Sequence, residues 1–283
     1  MPSADGETPG AALGRGRPAP PLLKGSFPFR LAATSYILPA PILPNLEFLG
    51  PYLDEVQLVL FESAQEGNLP SPSEIREMNR VAQGARLRLS VHLPTDLFLG
   101  DPDRRVRRTG CDTIRRFYER TLPLEPTVYV LHLDPGGLDL RSPAGRGSWL
   151  GRLEESMQTL LAEGLDPSRV AVENLDYPFG WVLPLVDGCG MRPCLDVGHL
   201  LRYGHDLDAH LAALLSRAPL VHLHGVRERV DHCSLELISA DHWERITGAL
   251  LQYDGAVCIE VFSLEDLAGS MRRMEPWKSG VEA

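Results

Sequence analysis

The sequence predicts an α/β protein that forms a single (β/α)8 TIM barrel. From Phe29 onward, eight apolar runs of strand length recur along the chain, and segments of helical character separate them. Several runs are apolar on both faces, which is typical of parallel strands covered by helices. The alternative, a doubly wound open sheet, is disfavoured because the sequence has eight such units and no GxGxxG turn.

The eight apolar runs are expected to be the strands of the barrel. They are FRLAATSYI (29–37), EVQLVLFE (55–62), RLRLSVHLP (86–94), TVYVLHLD (127–134), RVAVENL (169–175), PCLDVGHL (193–200), LVHLHG (220–225) and AVCIEVF (256–262).

Helices are predicted after most of these runs. The segments are 72–84, 103–122, 149–164, 206–218, 241–254 and 263–275, and the first has an apolar stripe through Ile75, Met78 and Val81. The segments after the first and fifth runs contain prolines, which weaken the helical pattern there.

The barrel is predicted to occupy residues 29–275. Residues 1–28 are rich in Pro, Gly and Ala and have no apolar signal-peptide core, so we expect a disordered leader, and residues 276–283 form a short tail. The five scattered cysteines include no CxxC pair and are expected to be small core residues of a cytoplasmic protein. No apolar run is long enough to cross a bilayer.

The net charge of -10 disfavours a nucleic-acid partner. Binding along a phosphate backbone depends on clustered Lys and Arg, and an acidic chain is poorly suited to it. A small-molecule substrate is therefore the expected partner.

Ionisable side chains stand at the ends of several predicted strands. In a TIM barrel these ends lie on one face and point at one volume. The residues concerned are Glu62, His92, His132, Glu173, Asp196, His199, His222, His224 and Glu260, with Asp231 and His232 in the loop after the seventh run.

Each of these residues alone has a simpler explanation. His92 could be a hydrogen-bonded histidine at the rim, Glu62 could cap a helix, and Glu173 could pair with an arginine. Together, however, so many carboxylates would repel one another unless cations lay among them. Imidazole and carboxylate ligands without thiolate suit Zn, Mn, Fe or Co, so the pattern predicts a metal site.

This pattern resembles the xylose isomerase-like (AP endonuclease 2) TIM-barrel superfamily, which includes the endonuclease IV type of apurinic endonuclease. The resemblance implies one to three divalent ions, Zn2+ or Mn2+ in the first place, and the following ligands: His92, His132, Glu173, Asp196, His199, His222, Asp231, His232 and Glu260. The endonucleases have D-x-H in the loop, whereas Asp231 and His232 are adjacent here. Sugar isomerases and epimerases of the superfamily hold one ion with a quartet that matches Glu173, Asp196, His222 and Glu260.

A closer resemblance, over nearly the whole chain after the leader, is to the cobamide-remodelling phosphodiesterases. The stretches that carry it include 29–62, VHLPTDLFLGD, YVLHLD, ENLDYPF, CLDVGHLLRYG, VHLHGV and DHCSL. Segments such as SYILPAPILPN and LVLFE are informative because they contain none of the expected ligands. The resemblance implies hydrolysis of the phosphoester in the nucleotide loop of a cobamide, a vitamin B12-type corrinoid, to a cobinamide and an α-ribazole-type nucleotide.

On this hypothesis Glu173, Glu260 and His199 are the catalytic residues among the ligands. Glu62 would orient a ligand or water, and His224 would bind substrate phosphate or pack at the rim. The alternatives are a sugar or sugar-phosphate isomerase or epimerase with one divalent ion, an apurinic endonuclease, which the net charge disfavours, and a corrinoid-binding protein without activity.

Overall fold

A computed structural model of the chain describes residues 19–60, 63 and 69–278. Eight parallel strands close into a barrel, and an antiparallel hairpin, β8–β9, follows the seventh of them. The strands are β1 (Arg30–Thr34), β2 (Glu55–Val59), β3 (Arg88–His92), β4 (Tyr129–Leu131), β5 (Val170–Glu173), β6 (Arg192–Asp196), β7 (Leu220–Leu223), β8 (Gly225–Arg227), β9 (Val230–Cys233) and β10 (Ala256–Ile259). The α/β barrel predicted from the sequence is thus confirmed.

Helices cover the outside of the barrel. They are α1 (Ile42–Leu49), α2 (Pro72–Ala85), α3 (Arg104–Thr121), α4 (Pro143–Ala162), α5 (Leu183–Gly188), α6 (Val197–Tyr203), α7 (Leu207–Leu214), α8 (Ala240–Leu250) and α9 (Leu264–Lys278). Within the described residues, none of them is long and apolar enough to cross a membrane.

The structure refines the predicted elements around the sixth and seventh strands. The apolar run 193–200 divides at Asp196, where β6 ends and α6 begins. The Asp196 side chain accepts a hydrogen bond from the backbone N–H of His199 at 2.8 Å, so this carboxylate caps the helix and turns the chain. The segment that carries Asp231 and His232, expected to be a loop, is a hairpin strand.

The barrel interior is filled mainly by small side chains. The buried residues that form this inner cluster are Ala32, Val128, Val130, Ala171, Cys194, Leu220, Ala256 and Cys258. The larger apolar side chains lie in the layer between strands and helices, where Trp149, Tyr129 and Phe117 are fully buried. Close packing on both sides of the sheet holds the strand ends rigidly.

Part of the predicted leader packs on the barrel. Phe27 stacks on Phe29 with ring centroids 5.1 Å apart, and both rings contact Trp277. Lys24 Nζ donates hydrogen bonds to the carbonyl oxygens of Gly50 and Ala85. The part of the chain that packs on the barrel therefore begins before Phe29, the predicted start of the barrel domain. Residues 1–18 of the leader and 279–283 of the tail lie outside the described residues.

Candidate metal centre

The predicted strand-end residues converge at one mouth of the barrel. His92, Glu173 and Asp196 are the last residues of β3, β5 and β6, and His132 and Glu260 directly follow β4 and β10. Glu173, Asp196 and Glu260 are all buried. Three carboxylates buried this close together need positive charge nearby.

Glu173 lies at the centre of this arrangement. Its Oε2 is 3.3 Å from His92 Nε2, 3.1 Å from His132 Nε2 and 3.2 Å from His222 Nδ1. Its Oε1 is 3.3 Å from His199 Nδ1. One carboxylate thus faces imidazoles from several strands.

Among the described residues, potential ligand atoms of histidine and carboxylate side chains form three groups. Within each group the atoms lie no more than 4.8 Å apart, which is compatible with a shared metal ion. The groups are His92–His132–Glu173, Glu173–Asp196–His222–Glu260, and His199–His224–His232. Because Glu173 belongs to the first two, it could bridge two ions.

Three of the six histidines at this centre are oriented by hydrogen bonds to backbone carbonyl groups. His92 Nδ1 lies 2.8 Å from the oxygen of Leu93, His199 Nδ1 lies 3.1 Å from that of Asn174, and His232 Nδ1 lies 3.3 Å from that of Glu260. A ring that donates from Nδ1 keeps its lone pair on Nε2, which is the usual arrangement of metal-bound histidine.

Several buried atoms at this centre have no hydrogen-bond partner among the described residues. They are His132 Nε2, both ring nitrogens of His222, and Glu260 Oε2. Leaving such an atom unsatisfied costs about 1–3 kcal/mol. These atoms lie near groups of opposite charge, but the geometry does not form hydrogen bonds. They belong to imidazole and carboxylate side chains, which divalent transition metals prefer as ligands. The residues therefore fit divalent metal ions.

A family model described as the xylose isomerase-like TIM barrel matches residues 53–282. The chain belongs to this family.

Solved structures with the same fold include several epimerases. A D-tagatose 3-epimerase-like protein superposes with a TM-score of 0.69 at 19% identity, over 90% of this chain and 98% of that one. D-psicose 3-epimerase from Clostridium cellulolyticum H10 gives 0.68 at 14% identity, over 89% and 99% of the two chains. SacUVDE gives 0.64 at 13% identity, over 88% and 99%. These identities establish the shared fold alone. No curated protein sequence matches the chain significantly.

Within this xylose isomerase-like barrel, the two central glutamates have opposite electrostatic environments. Burial alone would raise the pKa of Glu173, but the neighbouring imidazoles, led by His132 and His222, hold that pKa well below its usual range. Burial raises the pKa of Glu260 well above its usual range, and the negative charges of Glu173 and Asp196 add to the effect. Glu173 is therefore ionised, whereas Glu260 favours its protonated form.

The histidines of the third group also differ from one another. Burial opposes the charged form of His199, but Asp196 and Glu173 outweigh it and raise its pKa to about 11. Burial and the neighbouring His224 lower the pKa of His232 to about 3. His232 is thus neutral at physiological pH, whereas His199 would have to lose a proton before it could bind a metal ion.

One predicted ligand lies apart from these groups. Asp231 forms an ion pair with Arg202 of α6, and the ligand groups do not include it. The third group contains His224 instead of Asp231, beside His199 and His232. The sequence had suggested His224 as a phosphate-binding or rim residue. Glu62 lies outside the described residues.

Sequence reasoning missed Asn174. Its side-chain oxygen accepts from the backbone N–H of Asp196 at 2.8 Å, and its amide donates to the Asp196 carbonyl oxygen at 2.9 Å. This pair of bonds fixes the end of β6 against β5. A polar residue directly after Glu173, in a run that should be buried, was the available signal.

Cys194 lies below the centre and could also supply a ligand atom with Glu173 and His222. Burial, together with the negative charge of Glu173, raises the pKa of the Cys194 thiol well above its usual range. Since the thiolate is the ligand form of cysteine, this environment disfavours coordination by sulfur.

Proposed function

We propose that the protein is a metal-dependent phosphodiesterase that hydrolyses the nucleotide-loop phosphoester of cobamides. The observation that carries this proposal is the His92–His132–Glu173 group, which lies beside a complete four-ligand group. The first group adds the imidazoles of His92 and His132 to the four ligands that a single-ion isomerase uses. Glu173 belongs to both groups. A centre for more than one ion suits the hydrolysis of a phosphodiester.

The chain would hold these ions with the first two groups and with His199 and His232 of the third. Divalent ions, when bound, offset the negative charge of a phosphodiester and make water a stronger acid. Glu173 stays ionised between the groups, and backbone carbonyl oxygens hold the imidazoles of His92, His199 and His232 through Nδ1. The raised pKa of Glu260 suits it to hold a proton beside the reacting groups.

The cobamide as substrate rests on the sequence resemblance, and the surface around the centre is consistent with a large ligand. Tyr36 follows β1, Tyr203 ends α6 and Val230 begins β9, and all three side chains are substantially exposed. Tyr203 also lies beside the centre, with its ring 5.8 Å from that of His199. Apolar groups at the mouth would contact a substrate too large to enter the barrel.

The direct test is incubation of metal-replete protein with adenosylcobalamin and with pseudocobalamin, under reducing, low-oxygen conditions. Liquid chromatography with mass spectrometry would resolve the corrinoid products. We expect a cobinamide and a released α-ribazole-type nucleotide, and no product from the Glu173→Gln variant. If the wild-type protein binds metal and converts neither substrate, the cobamide proposal is wrong.

A second candidate, a sugar or sugar-phosphate epimerase, is favoured by the Glu173–Asp196–His222–Glu260 quartet. The epimerases among the structural neighbours support it at the level of fold. Incubation with a panel of ketoses in D2O would reveal deuterium exchange at a substrate C–H. The His132→Ala variant separates the two candidates, because an epimerase that needs only the quartet keeps its activity and a phosphodiesterase loses it.

A further inference from the structure

His224 differs from the other histidines of the centre in how its ring is held. It directly follows β7, is fully buried, and lies between the end of β6 and the hairpin strand β9. Its ring centroid is 5.5 Å from that of His199 and 4.3 Å from that of His232. Proximity alone would make it a third imidazole ligand.

The hydrogen bonds of His224 occupy both of its ring nitrogens. The backbone N–H of His232 donates to Nδ1 at 3.0 Å, and a backbone N–H can only donate. Nδ1 therefore carries the lone pair, although the Gly225 carbonyl oxygen also lies 3.3 Å from it. In the neutral ring the proton is then on Nε2, which lies 3.2 and 3.3 Å from the two carboxylate oxygens of Asp196.

The chain provides space for this ring at Gly198. A Cβ atom at position 198 would overlap the His224 imidazole at Cε1, Nδ1 and Nε2. Gly198 has no left-handed backbone angle that would require glycine. The D-V-G-H sequence therefore contains glycine at this position because the His224 ring lies against it.

We infer that His224 is a positioning residue that joins the Asp196 carboxylate to the backbone of His232, an inference that rests on the proposed metal-dependent function. Asp196 belongs to the four-ligand group, and its Oδ1 also accepts from the His199 N–H. His232 has a left-handed φ of 53°, and its N–H is fixed by His224. One buried ring thus orients ligands of two metal groups without giving either ion a lone pair.

Two substitutions test the two hydrogen bonds of His224 one at a time, because each is designed to keep one of them. In His224→Asn the side-chain oxygen takes the place of Nδ1 and keeps an acceptor for the His232 N–H. In His224→Gln the longer side chain keeps a donor toward Asp196. His224→Ala removes both bonds, and Gly198→Ala displaces the ring while every candidate ligand remains.

Amide hydrogen exchange across residues 225–233, in metal-free protein, tests the bond to His232. We expect exchange at the His232 amide to be at least about tenfold faster in His224→Ala and Gly198→Ala than in wild type, and slower in His224→Asn than in His224→Ala. His242→Ala, on α8, is the matched control. Unchanged exchange in both His224→Ala and Gly198→Ala would overturn the inference.

Metal stoichiometry and affinity for Co2+ test the role toward the ions. We expect His224→Ala and Gly198→Ala to keep the wild-type stoichiometry with roughly 10–100-fold weaker binding, and His224→Gln to recover part of that affinity. Loss of one equivalent in His224→Ala but not in Gly198→Ala would make His224 a ligand and contradict the inference. These measurements do not depend on turnover, so absence of cobamide hydrolysis would count against the proposed function alone.

Discussion

At the scale of single residues, Glu173 is the group on which the centre depends most. It is buried, stays ionised and belongs to both the three-ligand and the four-ligand groups. His132 belongs to one group only. Removal of Glu173 should therefore weaken two metal sites, whereas removal of His132 should weaken one.

We predict that Glu173→Ala and His132→Ala both abolish turnover, and that Glu173→Ala lowers metal content more. Metal analysis of the purified variants, after loading with Zn2+ or Mn2+, measures the difference. Glu155→Ala is a suitable control, because Glu155 is an exposed residue of α4 that pairs with Arg107. Wild-type metal content and rate in either centre variant would remove that residue from the site.

Metal binding should release protons. In the metal-free protein His199 has a pKa of about 11 and the pKa of Glu260 lies well above its usual range, so both groups hold protons that a metal ion must displace. Apparent metal affinity should consequently rise as the pH is raised from 6 to 8. Calorimetry in buffers of different ionisation enthalpy measures the released protons, and Glu260→Gln should release fewer. A binding enthalpy that is the same in every buffer would refute the prediction.

The sequence indicated most residues of the centre because their position follows from barrel geometry. His92, Glu173 and Asp196 lie within apolar runs and are the last residues of β3, β5 and β6, and parallel strands end on one face. The roles of Asn174 and His224 could not be derived in this way. Their function lies in hydrogen bonds to backbone groups of other strands, and those bonds depend on register and on ring orientation.

At the scale of elements, one side chain organises the connection between β1 and α1. Asn45 is fully buried, and its Oδ1 accepts from the backbone N–H groups of Ile37 and Leu38 at 3.0 and 2.8 Å. Its Nδ2 lies 3.0–3.3 Å from the carbonyl oxygens of Leu38, Ala40 and Pro41. The loop that carries Tyr36 at the mouth is therefore folded around Asn45.

We predict that Asn45→Ala lowers the free energy of unfolding by about 2–4 kcal/mol, because it leaves several buried backbone groups without partners. Asn79→Ala is the matched control, since Asn79 makes one hydrogen bond, to the Pro123 carbonyl oxygen at 2.9 Å, and should cost about 1 kcal/mol. Urea denaturation of the two variants measures both values. Equal losses would show that the Asn45 network contributes little.

Elements with strong periodicity were predicted closely, and irregular ones were not. Helix α2 begins at Pro72 as expected, because Ser71 and Glu74 form a capping box there. The hairpin β8–β9 was missed because it is short, and two residues near its turn, Glu228 and His232, adopt left-handed backbone angles that non-glycine sequences rarely indicate. Tertiary contacts such as the His224–His232 bond hold it in place.

At the scale of the whole molecule, the charge distribution favours cations at the centre. The net charge is -10, and the ionised side chains of Glu173 and Asp196 are buried within the barrel mouth beside Glu260. An overall negative field raises the local concentration of cations, and buried carboxylates are screened little by salt. Bound divalent ions would reduce the electrostatic repulsion between these buried carboxylates, which is present in the metal-free protein.

We therefore predict that metal ions stabilise the whole barrel. Binding to the folded state alone adds about 2.7 kcal/mol when free metal is 100 times Kd. For a chain of this size the melting temperature should rise by roughly 4–5 °C. Differential scanning calorimetry with and without Zn2+ or Mn2+ measures the shift, and Glu173→Gln should lose most of it while Glu155→Gln keeps it. An equal shift in wild type and Glu173→Gln would assign the stabilisation to ions bound elsewhere, because Glu173 belongs to both the three-ligand and the four-ligand groups at the strand ends.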